Sequence, residues 1–306
     1  MEKHKQYIFE WGGVNSEVIK AANILAKTIW KHSMNVGIYY SNTEQVPYIE
    51  GEFDFDFSSV GFEIDKPFKV TYTIYITDNI QEYNQLFSNV NGDESANSST
   101  TFEEHRMNIV SGMIGGKPSP DYLSNVLHEV DHVFEYMKGY KKNQPLYTKV
   151  LEGINSDNEY VKAIAILMYY CFKHEQDAFV HQFYGALVQN QFNGSFEDAI
   201  YGYSEYSNLL HIKFNIFNKM DRNGIKQACK ELGTSFEHIQ RYSAYISKKM
   251  KNKLFKAYNR YLTVKQNKLK IEGILQQNRI KPFIFNEFKK RYENILIKEE
   301  KYIETL

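Results

Sequence analysis

In the stretch FKVTYTIYIT, residues 68–77, Val70, Tyr72, Ile74 and Ile76 fall at every second position, between Thr71, Thr73, Tyr75 and Thr77. Beyond Gly115-Gly116 the apolar residues recur instead every three or four positions. A period of two belongs to a half-buried strand and a period near 3.6 to an amphipathic helix, so this chain is restricted to a sheet followed by helices. GEFDFDFSSVGFEI, with Phe53, Phe55 and Phe57 between acids, and RMNIVSGMI, just before Gly115, supply further strands. VNSEVIKAANILAKTIWKHS, residues 14–33, places Val18, Ala22, Leu25 and Ile29 at helical spacing and predicts one helix ahead of the sheet. NVNGDESANSSTT, 89–101, reads as a polar loop, and breaks in the helical part are expected near Gly139–Pro145, Asn190–Ser195 and Asn223-Gly224. Sheet first and helices after is an α+β order, and no internal repeat is present.

A length of 306 residues allows one large domain or two smaller ones, and two cysteines, Cys171 and Cys229, exclude a disulfide framework or a cysteine zinc ribbon. No run reaches the ~18 apolar residues of a membrane span, and MEKHKQYIFEWGG has no signal-peptide core; the expectation is a cytoplasmic protein with reduced thiols and no membrane partner. The 37 basic residues equal the 37 acidic ones, but unevenly. Residues 44–105 hold thirteen Asp and Glu against two Lys, net −11, and residues 241–306 hold seventeen Lys and Arg against six Glu, net +11. The basic end suits a nucleic acid or another polyanion, and equally a solvated helix face or docking on the acidic part of the same chain.

The stretch SNVLHEVDHVFEYMKG, 124–139, carries two histidines four apart. Ser119 as N-cap, Pro120 at the first helical position, Asp121 in the first turn and Gly139 at the C-terminal cap predict one helix over about 120–138. With His128 at 0° and ~100° per residue, His132 falls near ~40°, whereas Leu123, Val126, Leu127, Val130, Phe134 and Met137 gather between ~160° and ~260°. The imidazoles therefore share a face that is not the apolar one, where they either converge on a Zn2+ ion or stand in solvent. Glu129, one position round, sits beside the open side of such an ion, where a carboxylate can deprotonate water.

A catalytic zinc ion takes a third protein ligand. No histidine follows two turns on, since Glu135 and Lys138 stand where a G-x-x-H continuation needs Gly and His, and Glu135 is ~10 Å along the axis from His128. KHEQDAFVHQF, 173–183, offers the next donors within a helix expected from about Glu159 to Leu187. On that helix Glu175 shares its face with Ile164, Met168, Phe172 and Phe179. A carboxylate on an apolar stripe needs a metal or a cation such as Lys or Arg beside it. His174 and His181 fall off the stripe and read as surface or supporting residues.

HEVDH on one helix followed by E-x-x-A, at Glu175 to Ala178, on the next resembles the gluzincin-type zinc metallopeptidases, including the compact minigluzincins and small peptidases linked to phages and mobile elements. The likeness covers about residues 105–185. It implies His128, His132 and Glu175 as zinc ligands, Glu129 as general base, a zincin-like domain with a small mixed sheet, and hydrolysis of a peptide or protein substrate. Asp131 stands inside the motif where an apolar residue is commoner. A strand upstream of the motif helix, RMNIVSGMI or a neighbour, is expected at the sheet edge, open to an extended peptide. Tyr201, Tyr203 and His211 follow the ligand helix as donors among which spacing does not select.

Residues 225–246, IKQACKELGTSFEHIQRYSAYI, read as two short helices about Gly233, resembling a helix-turn-helix. The expected organisation is a zincin-like metallopeptidase domain over 1–215 and a helical basic region over 216–306. The alternatives are a DNA-binding protein or a virion-associated structural protein with an inactive zincin core.

Overall fold

The computed structural model describes residues 14–40, 46–90, 98–101, 104–138 and 145–277, and in the last helix side chains as far as Leu269. The predicted cap Gly139, the middle of the 89–101 stretch and the end of the basic region lie outside the described residues.

Helix α1 (Ser16–Ser33) starts where Asn15 accepts a bond from the Glu17 amide, and it buries Val18, Ala22, Leu25 and Ile29. Six strands follow among the described residues: β1 (Tyr39–Tyr40), β2 (Pro47–Phe55), β3 (Phe68–Thr77), β4 (Ser99–Thr101), β5 (Arg106–Ile114) and β6 (Lys117–Pro118). They form one mixed sheet in the order β1-β2-β3-β5-β4, with β6 also on β5. Among the described strands only β3 and β5 pair in parallel, so the chain must cross over between them. It does so through α2 (Ile80–Val90) and then β4, both within or beside the stretch that periodicity gives as loop. RMNIVSGMI forms β5 as expected, but inside the sheet; the edge on that side is β4, antiparallel to it through Thr100↔Met107. The alternation of Phe53, Phe55 and Phe57 also ends early. Asp56 accepts from the Ser58 amide and hydroxyl, which turns Phe57 into a 3-10 turn without exposing it.

From α3 (Tyr122–Met137) the described chain is helical: α4 (Pro145–Ile154), α5 (Glu159–Tyr169), α6 (Lys173–Gln189), α7 (Phe196–Tyr201), α8 (Ser204–Asn218), α9 (Arg222–Glu231) and α10 (Phe236–Gln277). The long helix expected from Glu159 is thus two, α5 and α6, joined by a turn at 170–172. That turn lets Tyr170 pack on Phe179 while Phe172 packs on Tyr147. The break expected near Asn223-Gly224 falls just before them, at 219–221, between α8 and α9. Asp221 caps α9 by accepting from both of their amides, and Gly224 lies in the helix because the Tyr160 ring covers it at the distance a Cβ would need. Gly233, at φ 75°, makes the turn into α10, which runs for 42 residues rather than as a short helix.

Helices α3 and α6 lie close together because α6 carries Gly185 against α3. A Cβ there would sit 2.5 Å from Leu127 Cδ1 and 3.0 Å from Ser124 Cα. Leu127 is buried and cannot swing aside, so Gly185→Val is expected to cost about 2–3 kcal/mol by overpacking, read as a lower urea midpoint with unchanged slope. An unchanged midpoint would mean that the two helices separate freely.

One buried apolar cluster runs from Val14 to Tyr261 and includes Ile225, Leu232, Met250 and Leu254. Residue 215 falls inside α8, and the two halves of the chain share this core. Helix α10 is tied to α6 by Lys253 and Asp177, and to the start of α1 by Arg260 and the Val14 carbonyl. Among the described residues no helix is long and apolar enough to cross a membrane.

Candidate metal centre

The start of α3 is built by its neighbours rather than by Ser119. Asp121 occupies the N-cap with no side-chain bond to the helix; its carboxylate accepts from Ser119 Oγ at 2.5 Å and from the Tyr83 hydroxyl on α2. The amide that needs capping, Leu123 N–H, donates to Gln189 Oε1 at 2.6 Å, and the Gln189 amide donates in turn to the Ser119 carbonyl. The last residue of α6 therefore caps the first turn of α3.

At the other end of the pair, α3 presents His128 and His132 to the first turn of α6. Their Nε2 atoms are 3.1 Å apart, and Glu175 Oε2 lies 3.8 Å and 3.6 Å from them. These three residues form a group whose donor atoms all lie within 4.8 Å, and it could hold a metal ion. An ion at zinc–nitrogen and zinc–oxygen distances of ~2.0–2.1 Å in tetrahedral geometry sets its donors roughly 3.4 Å apart, so the group has the right size. The Glu175 side chain is 0 % exposed and His132 is 4 % exposed, whereas His128 is 13 % exposed, so solvent reaches the group from the His128 side.

Glu175 is aimed by its surroundings. The Tyr147 hydroxyl donates to Oε1 at 2.7 Å, and His174 Nε2 is 3.1 Å from the same oxygen. With Oε1 engaged there, Oε2 faces the two imidazoles. Tyr169, the last residue of α5, also interacts with this carboxylate. Burial first, and then the Glu175 charge, hold its phenol well above the ordinary tyrosine range, so Tyr169 stays an O–H donor.

Glu129 is 3 % exposed and stands outside the donor group. Thr100 of β4 donates to its Oε2 at 2.6 Å, so the edge strand orients this carboxylate. Asp131 faces the other way. It lies 3.1 Å from His181 Nδ1 on α6, and His181 Nε2 accepts the Asn15 amide at the start of α1. The acidic residue in the motif thus joins α3 to α6 and, through the ring, to α1. Burial opposes the His181 cation, but Asp131 and Asp177 together outweigh it and the pKa is raised.

His174 and His181 are both buried, at 1 % and 2 %, which corrects the surface alternative left open by the helical wheel. Both lie in α6, which is buried round most of its circumference, so facing away from Glu175 does not expose them. Glu135 is buried beside Lys138, and burial, then Asp131, raise its pKa. Periodicity does not single out Tyr147, Tyr169 or Thr100. A groove of about 760 Å3, lined among others by Trp30, Lys31 and Lys117, lies at the start of α3 and includes none of the donor residues.

No protein-family model, curated protein or solved structure matches this chain.

Proposed function

We propose that this protein is a zinc-dependent peptidase with a zincin-like fold of the gluzincin type, in which His128, His132 and Glu175 hold the ion and Glu129 is the general base. The observation that carries the proposal is the meeting of two imidazole nitrogens and one carboxylate oxygen from two helices; Glu129, next to His128 in the chain, is held by Thr100 and lies outside the donor set. Three protein donors are the number a catalytic zinc site uses, and structural sites use four.

When bound, zinc supplies Lewis acidity toward a carbonyl and lowers the pKa of water. Glu129 takes the proton of the attacking water and delivers it to the leaving amine. Strand β4 offers an extended substrate an edge to pair with, and the same strand holds Glu129 through Thr100. Peptide-bond hydrolysis suits this set because it needs a base and an electrophile, and no covalent intermediate.

The test is elemental analysis of protein purified without a histidine tag or chelator. About one equivalent of zinc is expected. Less than roughly a tenth of an equivalent after reconstitution would reject the metal and the peptidase with it. Cleavage of a broad peptide library, lost on chelation and regained with zinc, then distinguishes an enzyme from a protein that only binds the ion.

A further inference from the structure

The cations of α10 are divided between two faces. Residues 238–271 contain ten Lys and Arg and no Asp or Glu. Lys253, Arg260 and Lys265 are turned to the body of the protein, where they meet Asp177, the Val14 carbonyl and the Phe192 carbonyl. Ile239, Ile246, Met250, Leu254 and Ala257 on the same side are buried. Stepping ~100° per residue, the opposite side carries Arg241, Tyr245, Lys248, Phe255 and Lys256, all exposed. Tyr245 is 59 % and Phe255 47 % exposed, and at the start of this face the exposed rings of His238 and Tyr242 stack 4.5 Å apart.

A solvated basic face needs no aromatic rings, and here rings and cations share one side of the helix. We infer that this face of α10 binds single-stranded nucleic acid. Arg241, Lys248 and Lys256 follow one another along about 22 Å of helix and take backbone phosphates; Tyr245 and Phe255, between them, stack on bases. A duplex can meet the cations but leaves the rings unused, because its bases are already stacked on one another, so the single strand is the tighter ligand. The site lies on the far side of α10 from α6 and is independent of the metal centre.

The experiment is fluorescence anisotropy of the full chain with a labelled oligothymidylate of about 20 nucleotides, the corresponding duplex, and vesicles of anionic lipid. Binding of the single strand is expected at 50 mM salt, weakening by about 20-fold at 200 mM, because three phosphate contacts give a slope of about −2. Lys248→Ala with Lys256→Ala should flatten that slope to about −0.7. Tyr245→Ala with Phe255→Ala should weaken binding at least tenfold at an unchanged slope. All four positions are exposed, and circular dichroism verifies that the helix persists. The inference is overturned by no binding at 50 mM salt, by duplex binding as tight as single-strand binding, by capture on vesicles without oligonucleotide binding, or by full affinity in the ring variant.

Discussion

Glu129→Gln is expected to leave the metal and the fold in place while kcat falls by 10² or more, because general base catalysis contributes about 10²–10⁴-fold. The substitution is nearly isosteric, and the Thr100 hydroxyl that donates to Oε2 can donate equally to an amide oxygen. What is lost is the ability to accept a proton. Zinc content should stay at the wild-type level, since Glu129 is outside the donor group. His132→Ala should lose zinc and activity together. The assay is initial rates on a peptide library, with zinc measured on the same preparations. If wild type and Glu129→Gln cleave the same peptides at equal rates, the cleavage comes from elsewhere, and the histidine pair is at most a structural clip.

Zinc should also raise the melting temperature, by roughly 8 °C or more. At free zinc about a thousandfold above Kd, binding to the folded state alone contributes ~4 kcal/mol. For a chain of this size that shifts the midpoint by about 2 °C per kcal/mol. The physical source is Glu175, whose side chain is fully buried with Oε2 toward two imidazoles. A carboxylate taken out of water needs a counter-charge, and a dication supplies it more fully than hydrogen bonds from Tyr147 and its neighbours. In Glu175→Ala the zinc-dependent shift should vanish, because two histidines alone bind weakly and the buried charge that gains from the ion is gone. Calorimetry with and without chelator measures both. A zinc shift in Glu175→Ala as large as in wild type would place the third donor elsewhere.

The helix of HEVDH could be read from the chain because its cues are local: a proline at one end, a clear apolar stripe, and two histidines on a different face. Strands β3 and β5 were legible for the same reason. Strand β4 was not, since three residues, Ser99 to Thr101, are too short for a period of two, and they follow a run of Asn, Asp and Ser. The break between α5 and α6 left no mark either: Tyr170, Cys171 and Phe172 include no Gly, Pro or capping side chain, and the turn is held by ring packing with distant residues. Glu175 was nonetheless placed inward, because its neighbours in α6, Ala178 and Phe179, lie on its side whichever way α5 runs. The aiming of that carboxylate by Tyr147 and of Glu129 by Thr100 joins residues 28 and 29 positions apart, and no local pattern encodes such pairs.

Helix α6 touches α3 at both ends, through Glu175 in its first turn and Gln189 in its last. Fourteen residues, about 21 Å, separate the two anchors. One residue inserted between them would rotate one anchor by ~100° relative to the other, so that either the ion or the cap would lose its partner. The helix therefore acts as a ruler with both graduations fixed. Length changes in this part of the chain are therefore expected in the connections on either side of α6 and not within it.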